Sequence, residues 1–353
     1  VLGTSPTALS SGAFNFAQEV AVEFDKPFRS YQEQIQLLKK RGLIIQDEDF
    51  ALSALNTISY YDLINRYKRY FMFEDDTFRE NVSIEYLYNF FLFDKEIQSF
   101  IMKYSILVEN IFKTKLSYTL AENFGVDVGG YLNKYNYDSS SKGSLTYLDV
   151  QCDIMKWLCS NQIKNPTKFY KNTHNHIPPW ILFKNITLGS AINLFDFLKG
   201  DPKYECANAL IPQDMSYDQK LNFILCSMNA IRDFRNCVAH NLHFTSLRIP
   251  KKYSISPSIM WSLIREPLLE RNKKKVTKDD RHSLNGLYGA MLSIMVFLYS
   301  PYLVSTFIQD FLLILNKESA YEEMYLKYAK ITDMPLNIKE RFINFFQQQF
   351  NYQ

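Results

Sequence analysis

The run SIEYLYNFFLFDKEIQSFIMKYSILVENIFKTKLSYTLAEN, residues 83–123, contains neither glycine nor proline. Its apolar residues Leu87, Phe90, Phe91, Ile97, Ile101, Ile111 and Leu116 recur at helical spacing, which predicts one very long helix or two in line. The rest of the chain agrees. Its 353 residues hold 11 Gly and 12 Pro, about 6.5% together against a usual ~12%, so turns are few and an all-α fold follows. This composition excludes a disordered chain, a collagen-like chain and a β-sandwich with closely spaced turns. The length allows two or three domains, or one large domain with an appendage, with enough chain for a core that needs no disulfide or metal staple.

Working outward from that run, helix punctuation is legible on both sides. Ser30 with Glu33 forms a capping box that starts a helix over residues 31–41, and Gly42 supplies its left-handed end. Asp47 caps a second helix to Ile58, and a third runs through Tyr60, Leu63, Ile64 and Tyr67. Residues 125–143 form a loop, followed by a helix over 145–160 and an irregular stretch over 165–179. Thr187 caps a helix to Gly200. Ser216 with Gln219 makes a second capping box, and the helix it opens continues to about His240. Two prolines in residues 247–257 mark the end of the main domain. Two terminal helices flank Pro335. The expected organisation is a partly flexible N-terminal extension over 1–25, a helical domain over 26–246, and a helical region over 247–353 packed on it.

Residues 283–309 carry no charge and are long enough to span a bilayer. Tyr288, Ser293, Tyr299, Ser300, Tyr302 and Ser305 are spread through them and Pro301 interrupts them, so a buried helix that ends near Ser300 and resumes after Pro301 is the better reading. Residues 1–16 lack the basic start and apolar run of a secretion signal. Five cysteines, an odd number, read as reduced thiols of a cytoplasmic protein. The 40 Lys and Arg against 37 Asp and Glu give a charge of +3, so any surface for a polyanion must be local.

The string RDFRNCVAHN, residues 232–241, carries the chemistry. Arg232, Asn236 and His240 share a helix face, whereas Arg235 lies about 140° round from His240. Arg235 and His240 therefore converge only if the helix frays at His240 or a second copy supplies the opposite residue. Such a pair suits RNA cleavage without a metal or other cofactor, the imidazole moving the 2′-hydroxyl or 5′-oxygen proton and the guanidinium holding the charged phosphate. The structural alternative is an ion pair between Arg235 and a carboxylate of a neighbouring helix, with His240 placed at a helix end where the dipole favours a cation. His174 and His176 lack further ligands at metal-binding spacing, and Cys237 lacks an orienting partner as a nucleophile.

Local basic clusters offer phosphate contacts. Residues 248–281 hold ten Lys or Arg against four Asp or Glu, including Lys251, Lys252, Lys273, Lys274 and Lys275. Arg66, Lys68 and Arg69 interleave with Tyr67 and Tyr70, while Lys39, Lys40 and Arg41 close the first helix. Arg232 and His243 are candidate accessory RNA contacts. Each cluster has the alternative reading of a solvated charged face. The aromatic stripes around residues 86–93 and 345–350 read as core.

An ordered series of residues gives this reading a family. Lys26-Pro27, then Tyr31, Gln34, Leu37, Leu38 and Gly42, are followed by Ile58, Tyr60 and Tyr61, and by Phe93-Asp94. Next come Glu109, Leu116, Ser117 and Tyr118, then Trp180 and Gly189, and finally Arg235-Asn236 to Ala239-His240. Over residues 26–244 the chain resembles the Abi family of bacterial abortive-infection proteins, the AbiD and AbiF kind, within the HEPN superfamily. Met334-Pro335 resembles that family's C-terminal region. The resemblance implies a HEPN-type helical bundle with additional N- and C-terminal helices. It also implies a homodimeric, metal-independent endoribonuclease of a phage-defence or toxin system, leaving 2′,3′-cyclic phosphate and 5′-hydroxyl ends. Arg235 and His240 map onto the ends of the R-x4-6-H motif, with Asn236 as its polar second position. Many relatives have a further His or basic residue and a Trp after His240, where this chain has Asn241, Leu242 and His243. The alternatives are a catalytically silent regulatory module that binds a small noncoding RNA, and a helical interaction protein with no RNA role.

Overall fold

In the computed structural model, which describes residues 26–264 and 266–350, helices begin where their caps predict. The expected N-terminal extension, with its lack of a secretion signal, lies outside the described residues. Ser30 Oγ accepts from the Glu33 N–H at 3.3 Å and Glu33 Oε2 from the Ser30 N–H at 2.7 Å, closing the box at the start of α1 (Tyr31–Lys40). Gly42, at φ +86, follows its end. Asp47 accepts from the Phe50 N–H at 2.9 Å to start α2 (Glu48–Ile58). The expected third helix is broken into α3 (Tyr60–Leu63), a 3-10 turn over Asn65–Tyr67, and α4 (Lys68–Phe71). This tighter path turns Tyr67 and Phe71 into one core, where their rings meet edge-on at 6.5 Å. These elements belong to one compact unit, ending at Glu85, and a second unit runs from Tyr86 onward.

The run that opened the sequence reading is a single helix, α5 (Ile84–Phe124), of 41 residues, about 60 Å long at 1.5 Å per residue. Leu87, Phe90, Phe93, Ile97, Ile101, Tyr104, Val108, Phe112, Leu116 and Leu120 are buried, a stripe of helical period. Phe91 and Ile111 are only half-buried at its margins. The chain continues through α6 (Val128–Tyr131), α7 (Tyr147–Cys159), α8 (Thr167–Thr173), α9 (Pro179–Leu182), α10 (Leu188–Phe197) and α11 (Gly200–Leu210). Then follow α12 (Tyr217–Ala239), α13 (Pro257–Leu263), α14 (Lys278–Ser283), α15 (Leu287–Leu298), α16 (Pro301–Asn316), α17 (Tyr321–Thr332) and α18 (Ile338–Phe350). Of these, α8 lies in the stretch expected to be irregular, and α11 begins where the preceding helix was expected to stop. A hairpin of two-residue strands, β1 (Arg271–Asn272) and β2 (Lys275–Val276), is the exception to an otherwise helical fold among the described residues.

Aromatic side chains fasten α5 along its length. Phe93 meets Tyr321 and Tyr328 of α17 at 5.0 and 5.4 Å. Phe100 and Tyr104 meet Phe307 of α16 at 4.6 and 4.8 Å, and Phe112 meets Phe195 of α10 at 5.8 Å. The uncharged segment is a buried helix, as its scattered polar residues suggested. All 12 residues of α15 are buried, the Ser293 hydroxyl is within 2.8 Å of the Gly289 carbonyl and 3.0 Å of Ser227 Oγ on α12, and a new helix starts at Pro301. No helix among the described residues is long and apolar enough to cross a membrane. None of the five cysteines is in a disulfide.

The first turn of α15 is tight. A Cβ on Gly289 would lie 2.1 Å from the Leu284 carbonyl oxygen, a backbone atom that cannot rotate away. Gly289→Ala is expected to destabilise the fold by about 1–3 kcal/mol or more, read as a fall in the thermal or urea midpoint. An unchanged midpoint would show that this turn has room to move.

Candidate functional site

The site string sits at the end of α12, and its local geometry begins with the cap at the other end. Ser216 Oγ accepts from the Gln219 N–H at 3.3 Å, and Gln219 Oε1 accepts from the Ser216 N–H at 3.2 Å. Phe223, Ile224, Ser227, Met228, Ile231, Phe234 and Cys237 are buried along the helix. Its C-terminus is closed. The His240 N–H donates to the Asn236 carbonyl at 3.0 Å, Asn241 to Val238 at 3.1 Å and Leu242 to Cys237 at 2.9 Å, with Asn241 left-handed at φ +51. This is a Schellman end with asparagine in the position usually taken by glycine. Lys95 of α5 donates to Asn241 Oδ1 at 2.6 Å. Fraying at His240, one of the two routes by which Arg235 and His240 could converge, is therefore not what the helix does. His240 is its C-cap, with an exposed side chain.

Arg235 is placed differently. Its side chain is 34% exposed, and Nη2 lies 3.6 Å from Glu109 Oε2 on α5, so the neighbouring-carboxylate reading of this arginine is also present. Nη1 donates to Asn236 Oδ1 at 3.0 Å, and the buried Nε has no hydrogen-bond partner among the described residues. Glu109 is shared, because Oε1 accepts from Lys113 at 2.7 Å, and Lys113 also donates to the Ile186 carbonyl at 2.6 Å. Two cations thus divide one carboxylate, which leaves the spot net positive. The Arg235–Glu109 contact, at 3.6 Å, is longer than a hydrogen bond, so an anion that offers the guanidinium shorter, charge-assisted hydrogen bonds can displace the carboxylate. Glu109 was not among the expected site residues, although it stands in the series that carries the family resemblance and is spaced i,i+4 from Lys113.

The remaining expected residues fall into separate groups. Arg232 donates to Asp233 at 2.8 and 3.1 Å, and its guanidinium carbon lies 6.0 Å from the centre of the Tyr253 ring, which Lys252 approaches to 4.6 Å. Lys252, with the exposed Lys251 beside it, is thus brought to the face of α12. Asn236 and His243 help line a shallow depression of about 530 Å³ that also includes Cys237, Leu242 and Arg248. Lys273 and Lys274 form the hairpin tip and Lys275 lies on β2, all exposed. That hairpin is anchored on α13 by Arg271, 4.0 Å from the centre of the Trp261 ring.

In the N-terminal unit, Lys39 pairs with Glu48 and Lys68 with Asp76. Arg41 donates to the Tyr60 hydroxyl at 3.1 Å and to Asp76 at 3.3 Å. The Asp76 carboxyl is held below the usual carboxylate range, chiefly by the hydrogen bond from Lys68. Arg41, Lys68, Lys26 and Arg29 line a cleft of about 540 Å³. Lys40 and Arg69 are exposed, but Arg66 is 4% exposed and paired with Asp62, and Tyr67 is fully buried. Of the expected Arg66–Tyr70 cluster, then, Lys68, Arg69 and Tyr70 are at the surface. Among the described residues no group of three or more His, Cys, Asp or Glu side chains could hold a metal ion.

The sequence profile of the Abi-like protein family matches residues 53–244, more than half of the chain. The chain belongs to the Abi-like family. The match runs from α2 to just past α12, so it takes in α5, α9, α10 and the whole of the Arg235–His240 segment. No curated protein and no solved structure matches the chain.

In this Abi-like protein the presentation of His240 depends on the left-handed backbone of Asn241. A β-branched side chain there pays the left-handed penalty of about 1–2 kcal/mol. Asn241→Val is expected to lower stability by that amount, whereas Asn241→Gly loses the Lys95 contact but keeps the closed end and stays within a few tenths of a kcal/mol. Urea denaturation of the two variants checks this, and equal stabilities would contradict it.

Proposed function

We propose that this Abi-like protein is a HEPN-type endoribonuclease of a phage-defence or toxin system, cleaving RNA without a metal at a site built from Arg235, Asn236 and His240. The observation that supports it most directly is the state of Arg235: held at 3.6 Å by a shared carboxylate, its Nε buried without a partner, it is suited to take phosphate oxygens. The closed end of α12 keeps His240 about 140° round from it. The site is then composite, with Arg235 of one protomer facing His240 of its partner in a homodimer.

In this mechanism an imidazole accepts the 2′-hydroxyl proton, and the 2′-oxygen attacks phosphorus. The bond from phosphorus to the 5′-oxygen breaks, and that oxygen takes up a proton. The products are a 2′,3′-cyclic phosphate and a 5′-hydroxyl. The Arg235 guanidinium holds the non-bridging oxygens as charge builds, and Asn236 fixes its orientation through the 3.0 Å hydrogen bond. Lys252, Arg232 and Tyr253 offer further contacts to the strand.

His240→Ala is expected to lower cleavage by about 10²- to 10⁴-fold, and Arg235→Ala by about 10²- to 10³-fold. EDTA leaves the parental rate unchanged, and fragments carry the two ends named above. Co-expression of the two variants restores part of the activity, because a mixed dimer regains one intact pair. Cleavage by His240→Ala at the parental rate overturns the assignment. Salt-sensitive RNA binding with no cleavage by the parental chain favours the silent regulatory module instead.

A further inference from the structure

Trp180 is the most exposed of the three tryptophans, at 46%, while Trp157 and Trp261 are half-buried. Its base is rigid. Pro178 and Pro179 fix the approach to α9, Leu182 and Phe183 are buried beneath it, and the Thr167 hydroxyl donates to the Ile181 carbonyl at 3.1 Å. Asn185 in turn donates to Thr167 Oγ1 at 2.7 Å. An exposed indole on so fixed a support makes no ring or cation contact among the described residues.

Beside Trp180 lies a recess of about 240 Å³ between α5 and α9, with Ile106 and Phe183 as apolar walls and Asn110, Lys113 and Lys184 as polar ones. Lys184 donates to Asn110 Oδ1 at 3.3 Å and has no carboxylate partner among the described residues. Glu109 also lines the recess, and its other face is the carboxylate near Arg235. The recess and the arginine are therefore neighbours across a single side chain.

We infer that this recess takes the base of a single-stranded RNA nucleotide adjacent to the scissile phosphate. The base stacks on Trp180, Lys113 and Lys184 stand at the flanking phosphates, and the Asn110 amide meets the base edge. This rests on the nuclease reading for the position of the scissile phosphate. Three features select the ligand. The volume falls below the ~300–1,000 Å³ of sites for drug-sized molecules, which suits one base and not two. A flat aromatic face flanked by lysines is the chemistry of single-strand recognition, since every base offers a π-face and every linkage a charge. A duplex, whose bases are already stacked, has none to insert.

The test uses the full chain carrying His240→Ala, so that RNA is bound but not consumed, and a short fluorescent single-stranded RNA read by anisotropy. Adding Trp180→Ala is expected to weaken binding roughly 5- to 150-fold, whereas Trp180→Phe retains most of the affinity. An abasic strand of the same length binds the His240→Ala protein and its Trp180→Ala derivative alike. Equal affinity of the two proteins for the intact RNA overturns the inference, as does an equal loss with the abasic strand. The outcomes separate it from the nuclease reading. A protein that never cuts, yet binds RNA in a Trp180-dependent way, loses the nuclease and keeps the base recess. A protein that cuts through Arg235 and His240 with kcat/KM and bond preference unmoved by Trp180→Ala keeps the nuclease and loses the recess. A chain that binds no RNA overturns both.

Discussion

The buried stripe of α5 is the constraint on which the second unit depends. A helix of this length gains little from propensity by itself and persists because its apolar face is covered turn after turn. Here α17 covers its N-terminal part, α16 its middle and α10 its C-terminal part, each through aromatic rings. Because α5 is unbroken, Lys95 and Glu109 are fixed relative to each other, and both reach α12: Lys95 at Asn241, Glu109 at Arg235. The geometry of the candidate site is thus inherited from a packing interaction that involves none of Arg235, Asn236 and His240.

Electrostatically, the site is built on sharing. Glu109 serves Lys113 at hydrogen-bond distance and Arg235 at longer range, so neither cation is neutralised on its own account. A phosphate oxyanion, free of a competing lysine, competes well for the guanidinium, whose planar fork matches its oxygens. Removing the carboxylate altogether would leave Arg235 and Lys113 to repel each other, so Glu109 both holds the arginine in place and sets how readily it can be given up.

Much of the fold was legible because helix ends are local chemistry. The boxes at Ser30 and Ser216, the caps at Asp47 and Thr187 and the break at Pro301 all depend on residues within three or four positions of one another. What escaped was non-local. The opening of α11 at Gly200, itself at φ +68, had no capping side chain to announce it, and α8 follows Pro166, which likewise supplies no side-chain cap. At the site, the sequence could put Arg235 and His240 at two angles on one helix but could not say that Arg235 faces α5, since nothing within α12 names its neighbour. Basic clusters were the least legible. The same spelling of Arg, Lys and Tyr yields an exposed Arg69 and a buried Arg66, because burial follows the turn of the chain and not its composition.

The five thiols divide sharply. Burial pushes Cys206 up to about 12 and raises Cys226 as well, and Cys237 is enclosed beneath the end of α12. Cys152 and Cys159 are exposed on α7, seven residues apart and so on one side of that helix, about 10 Å from each other along its axis. At that separation they are too far apart to bridge within one chain. Alkylating reagents and oxidants therefore meet this protein along a single flank, and an intermolecular crosslink formed there would join copies through α7, leaving the enclosed thiol under α12 untouched.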